Sequence, residues 1–324
     1  MKEKRGIELS FGWIFSVIVG GMVIVLAIYA VTRITSTERN YEDSSAAQIL
    51  GTLLHPLETS IESASKPGTI SFPVQTRISM GCSVSGNFGE QSIRIAQRSG
   101  IGKPWQDFGV PKKITNKYIF SSANLEGEKF YLLVKPFTFP FKIGDVIVMW
   151  NEPYCFLNPP TEIEDELSSL GINESALTIT GSSNLCPKNS TMVCFSTGAV
   201  SQGKRCDVSV DTAAQRVFRE GRGLYYEGAL IYGAIFAESS IYECEVQRMM
   251  KRGSSLAELY LTKISIISSS SSGCGSALQP MLAIYSKSAK NATSRDISNL
   301  KQIAINLDRE NNNLICQLWK ERMA

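Results

Sequence analysis

LSFGWIFSVIVGGMVIVLAIYAV, residues 9–31, holds no charged side chain, and its reading decides where the rest of the chain is expected to fold. At ~1.5 Å per helical residue the run reaches about 34 Å, enough to cross a hydrocarbon core of ~30 Å. A cleaved secretory signal has a shorter apolar core with a small-residue cleavage site directly behind it. Here Ile28, Tyr29, Val31 and Arg33 close the run, so it reads as a retained transmembrane anchor. Lys2, Lys4 and Arg5 precede it, against Arg33 and Arg39 behind it. That excess favours a cytoplasmic tail over residues 1–8 and a body outside the cytoplasm.

The cysteines point the same way. All eight (Cys82, Cys155, Cys186, Cys194, Cys206, Cys244, Cys274 and Cys316) follow the anchor, and an even count in an exported chain predicts disulfides. Zinc is the rival, but there is no C-x-x-C pair and the sole histidine is His55. Cys186 and Cys194, the closest pair, suit a hairpin staple. If the last three helices run up-down-up, Cys274 and Cys316 fall at one end of the bundle and are expected to pair. Cys244 then falls at the other end, left to pair with the β or central region. Composition is that of a folded protein, and the net charge of +3 shows no basic block beyond the first residues, so nucleic acid is not an expected partner. The sequons at Asn173, Asn189 and Asn291 are no more than a chain this rich in Ser and Thr produces by chance.

Beyond the anchor, Ala46, Ile49, Leu50, Leu53, Leu54, Leu57 and Ile61 recur at helical spacing. They predict an amphipathic stalk helix within residues 32–66, kinked by Pro56 and ended by Pro67-Gly68. From Thr69 the pattern alternates: Ile70, Phe72 and Val74, then Ile93 and Ile95, with β-rich runs at 118–120, 130–134 and 146–150. A mainly β domain over 69–158 follows, with Pro159-Pro160 as its boundary. Thr161 and Glu164 form a capping-box pair opening a short helix with Ile163, Leu167 and Leu170 on one face. The rest, 161–324, reads as an α/β domain with strands at 176–180, 192–196, 206–210 and 230–236 and a helix at 212–220. It ends in a helical bundle: a long helix from Ile241, opened by a second capping box at Ser240/Glu243, then helices over 277–290 and 295–319. The serines at 268–272 read as a connector.

Candidate chemistry is sparse. Gly12, Ser16 and Gly20 lie on one face of the anchor, which suits self-association or a partner membrane helix in the lipid bilayer. His55 sits on the stalk, so a Ser/His or Cys/His nucleophile system lacks support. Ser63 and Lys66 match S-x-x-K only loosely, and Gly221 and Gly223 lack the third glycine of a dinucleotide loop. Asp207 and Asp211 flank a strand, where Asp is common. Glu162, Glu164, Asp165 and Glu166 read as the acidic first turn of a helix rather than a metal site. No cofactor or metal is implied, and no groups converge on a reaction.

Lys4-Arg5-Gly6, Glu8 and the apolar run together resemble the start of an archaeal type IV prepilin. In that family a basic tail ending in Gly is removed, the apolar helix packs into a filament, and a Glu near the new terminus neutralises a neighbour's amine. Glu8 would be second after a cut behind Gly6, whereas bacterial pilins carry it fifth. Phe139-Pro140-Phe141-Lys142 and the stretch from Tyr226-Glu227-Gly228 through Tyr242-Glu243-Cys244 look like uncharacterised membrane-anchored surface proteins of small-genome archaea. The expectation is a single-pass, disulfide-stabilised structural or adhesive surface protein. A pilin-like filament subunit is the alternative, and an ectoenzyme the third reading.

Overall fold

In the computed structural model, which describes residues 12–13, 15–31, 68–98, 104–173, 176–196, 206–270 and 276–320, residues 15–31 of the apolar run form helix α1. Among the described residues no helix is long and apolar enough to cross a membrane. Helix α1 spans about 26 Å at 1.5 Å per residue, because the first part of the 9–31 run lies outside the described residues. The crossing expected of that run is therefore not supported by the helix that is described. The large side chains of α1 are exposed, Phe15 at 59% and Met22 at 65%. The tail with Glu8, and the 32–66 stalk with His55, Ser63 and Lys66, also lie outside the described residues.

Alternation from Gly68 onward builds the first sheet. Its strands are β1 (Gly68–Ser83), β2 (Glu90–Arg98), β3 (Lys112–Ile114), β4 (Tyr118–Phe120), β5 (Asn124–Thr138) and β6 (Lys142–Trp150). They stand in the order β3-β2-β1-β5-β6-β4, antiparallel except for β4 beside β6. Strand β4 and the second half of β6 are buried on both faces. Tyr118, Phe120, Leu133, Val146, Val148 and Trp150 point to one core. Their neighbours Ile119, Leu132, Val134, Ile147 and Met149 point to another, which also holds Ile78 of β1 and Ile93 and Ile95 of β2. One sheet can enclose that second core only by curling over it. The register shift between Ser71 and Thr76 marks one irregularity in the long β1–β5 pairing.

A side chain closes the curl. Gln91 of β2 is fully buried; its amide donates to the Ile119 carbonyl of β4 at 2.9 Å and accepts from the Ile119 N–H at 3.1 Å. Gln91→Leu keeps the bulk and orphans both backbone groups away from water. We expect a loss of ~2–4 kcal/mol, read as a lowered urea midpoint. A shift worth under about 1 kcal/mol would mean that backbone elsewhere holds the seam.

The second sheet contains β7 (Tyr154–Leu157), β8 (Leu177–Thr180), β9 (Thr191–Ser196), β10 (Val208–Asp211), β11 (Arg216–Arg219) and β12 (Arg222–Tyr225). Its order is β12-β11-β10-β9-β7-β8; β8, β7, β9 and β10 run parallel, and the β10–β11–β12 meander is antiparallel. Helix α2 (Thr161–Ser169) supplies the β7–β8 crossover and buries Leu167, as its spacing predicts. Strand β7 precedes Pro159-Pro160, so the change of sheet falls between Trp150 and Tyr154. The expected capping box of α2 does not form: Pro160 is the N-cap, and no side chain caps it.

Two expected elements exchange types. Residues 230–236, read as a strand, form helix α3 (Leu230–Phe236), buried at every position. An apolar run enclosed on all sides has no periodicity to separate helix from strand. Gly233 lets α3 approach β4 so closely that a Cβ there would stand 2.6 Å from the Phe120 ring. Residues 212–220, read as a helix, are instead the turn into β11 and β11 itself. The Asp211 carboxylate accepts the N–H groups of Ala213 and Ala214, and Gln215 takes a positive φ.

The helical layer is α4 (Ser239–Ser270), α5 (Gln279–Ala289) and α6 (Ile297–Asn313). Tyr242, Val246, Met249, Met250, Ala257 and Ile264 line the buried side of α4 at helical spacing. Gly253 lets α4 pack closely: a Cβ there would meet Ile143 at 3.0 Å and the Tyr285 hydroxyl at 3.1 Å. Phe236 joins the layers, with its ring 4.6 Å from Trp150 of the first sheet and 4.4 Å from Tyr154 of the second. The two halves therefore share one core.

Disulfides brace this arrangement. Cys82 at the end of β1 bonds Cys244 in α4, as expected for a helix start that faces the β half. Cys186 and Cys194 do not pair with each other: Cys155 takes Cys186, and Cys194 takes Cys206. The hairpin that their spacing implied is absent, because β9 runs parallel to β7 and β10. Cys316 is disulfide-bonded as well, and Cys274 lies outside the described residues.

Candidate binding groove

The β11–β12 connection is a two-residue hairpin. Glu220 and Gly221 both take positive φ, 53° and 74°, the geometry of a type I′ turn. Glu220 also anchors the tip: its carboxylate ion-pairs with the Arg219 guanidinium at 3.3 Å and accepts the Ser239 N–H at the start of α4 at 3.4 Å. Strand β12 is thereby held against the first turns of α4.

A third segment meets them. Before α6, Thr293 and Asp296 form a reciprocal capping box, with the Thr293 N–H and hydroxyl both donating to Asp296 at 2.8 Å. Buried Ser294 ties all three pieces together. Its hydroxyl and N–H donate to the Glu243 carboxylate at 2.5 and 3.2 Å, and its oxygen accepts the Tyr225 N–H of β12 at 3.4 Å. Glu243 is thus spent on α6 rather than on the capping box expected with Ser240, whose hydroxyl donates to Glu238. Tyr242, whose phenol burial pushes far up, donates to the Tyr225 carbonyl at 2.6 Å.

Between these segments lies a half-open groove of about 550 Å³. Gly221, Gly223 and Leu224 form one side, Glu243 and Gln247 another, and Thr293 and Arg295 the third, with Arg222 at the hairpin. Arg222 and Leu224 leave β12 on the same face by strand alternation. The two guanidiniums and the Gln247 amide have no hydrogen-bond or ion-pair partner among the described residues. The groove therefore offers uncommitted cationic and amide donors beside one carboxylate already engaged by Ser294.

Other candidates from the sequence are spread out and committed. Asp207 accepts the Met192 N–H at 2.7 Å, and Asp211 closes its own turn. Glu166, half-exposed, is not left to solvent alone: it ion-pairs with Lys135 at 2.7 Å and accepts the Tyr232 hydroxyl. Glu162 and Glu164 do sit in the first turn of α2. No group of three or more His, Cys, Asp and Glu that could hold a metal occurs among the described residues. Gly12, Ser16 and Gly20 are helical, and the Ser16 hydroxyl donates to the Gly12 carbonyl at 2.9 Å. A Cβ on Gly20 would meet nothing within 4 Å. Phe139 and Phe141 are core residues packed on Tyr285.

Gly221 and Gly223 matter, but not as a nucleotide loop: Gly221 is the positive-φ turn residue, and Gly223 makes room for the Arg216 side chain, which a Cβ there would meet at 3.0 Å. Sequence reasoning missed Arg222, Arg295 and Gln247, since nothing in local spacing brings residues 222, 247 and 295 together. The E-G dipeptide at 220–221 between β-rich residues was the one available signal for the hairpin.

Fold and groove define a disulfide-braced mixed α/β protein with a polar groove where a β-hairpin meets the helical layer. No family model matches the chain, and neither does any curated protein or solved structure.

Proposed function

We propose that this protein is held in a membrane by residues 9–31 and works outside the cytoplasm as a structural or adhesive surface protein. The observation that carries the reading is the state of the cysteines. No described cysteine is free, and the resolved bonds link β1 to α4, β7 to the loop before β9, and β9 to the segment before β10. Such bonds persist in oxidising compartments. The exposed apolar surface of α1 supports the same view, since side chains of that kind require lipid or a neighbouring helix to cover them.

Protease added to intact cells should remove the body beyond about Arg33, and thiol alkylation before reduction should label none of the eight cysteines. Full protection in a demonstrably permeable envelope, or free thiols in protein taken from cells, would overturn the placement. Amino-terminal sequencing separates the roles. A mature terminus at Ile7 favours the pilin-like filament subunit, and an uncut Met1 or Lys2 favours the anchored surface protein.

A further inference from the structure

We propose that the groove between Arg222 and Arg295 binds a small hydroxylated organic anion, a carboxylate- or phosphate-bearing molecule of about monosaccharide size.

The two guanidiniums come from elements distant in sequence, the β12 hairpin and the turn before α6, and they flank one cavity with no hydrogen-bond or ion-pair partner among the described residues. Charge-assisted bonds from guanidinium to carboxylate or phosphate are the strong hydrogen bonds available at a partly open site. About 550 Å³ exceeds what a bare inorganic anion fills and lies in the range of small-molecule sites. No aromatic ring lines the cavity, so a nucleobase or neutral sugar finds no stacking platform, and affinity must come from charge. Glu243 adds the second requirement. Its carboxylate is held in place by Ser294 and retains acceptor capacity, so it favours a ligand that brings hydroxyl donors beside its anionic group. Gly221, at the hairpin tip, has nothing within 4 Å of where a Cβ would stand, so the backbone there is open to close approach. The walls are set before any ligand arrives, by Glu220 on Ser239 and by Thr293 on Asp296.

The test is calorimetric titration of the full chain in nonionic micelles at low salt with glucuronate, glucose 6-phosphate, glucose and inorganic phosphate. Glucuronate, glucose 6-phosphate or both should bind, and the pair tells which anionic group is preferred. Arg222→Ala and Arg295→Ala should each weaken that binding by about tenfold, and the double variant should abolish it. Both side chains are exposed and make no hydrogen bond or ion pair among the described residues, so the melting temperature should not move. Lys287→Ala, an exposed charge on α5, should leave binding unchanged. The proposal fails if neither acid binds, if glucose or inorganic phosphate binds as tightly, or if Lys287→Ala weakens binding as much as the groove variants.

Discussion

Arg248→Met should destabilise this protein by ~3–5 kcal/mol, a large share of the margin of an ordinary domain. Arg248 is fully buried on α4, and its guanidinium donates to the carbonyls of Lys117 at 3.0 Å, Thr115 at 3.1 Å and Ile114 at 3.3 Å. It also bonds the Glu245 carboxyl at 2.6 Å and lies 5.0 Å from the Tyr118 ring centre. One side chain from the helical layer thus serves three carbonyls at the end of β3 and in the β3–β4 connection. Methionine fills part of the space, but the buried carbonyls of Lys117 and Ile114 lose their donor and buried Glu245 loses its cation. A urea midpoint close to that of the wild type would show that the turn has another source of donors.

Glu245 gives the same site a pH signature. Burial pushes its carboxyl up to about 8, against the opposing pull of Arg248. Below about pH 4.5 the carboxyl is protonated in folded and unfolded chains alike. Between about 4.5 and 8 the folded chain keeps a proton that the unfolded chain has lost, so stability falls as pH rises through that window. Glu245→Gln should flatten this part of the profile. A wild-type stability that climbs from pH 5 to 8, with Glu245→Gln removing the climb, would reverse the assignment.

Breaking the Cys82–Cys244 bond should cost about as much, by a different route. The two residues are 162 apart in sequence, and the bond joins the curled sheet to the helical layer. Closing a loop that long restricts the unfolded chain by ~4–5 kcal/mol, toward the lower figure here because two other disulfides already shorten the same loop. The Cys194–Cys206 loop, with a separation of 12, should contribute only ~3 kcal/mol. Paired serine variants of each bond test the ordering by urea denaturation. Equal losses, or a larger loss for Cys194–Cys206, would show that native contacts rather than loop closure set the cost.

Where one face of a strand or helix is wetter than the other, the period survives in the sequence, and local order could be read directly. The alternation at Ile93 and Ile95, the 3.6-residue spacing through Ile163 and Leu167, and the long amphipathic run of α4 all belong to that class. The cysteine count implied disulfides for the same kind of reason, since composition tracks compartment. The tertiary structure alone decided what depends on contacts between distant residues. It made 230–236 a helix, because full enclosure erased the period and Gly233 allowed approach to Phe120. It gave Cys155 to Cys186 through the parallel order of β7 and β9, and it closed the curled sheet through Gln91. It also brought Arg222, Gln247 and Arg295 to one groove, which no local spacing encodes, because Ser294 binds Glu243 and Tyr225 only after three separate segments have packed.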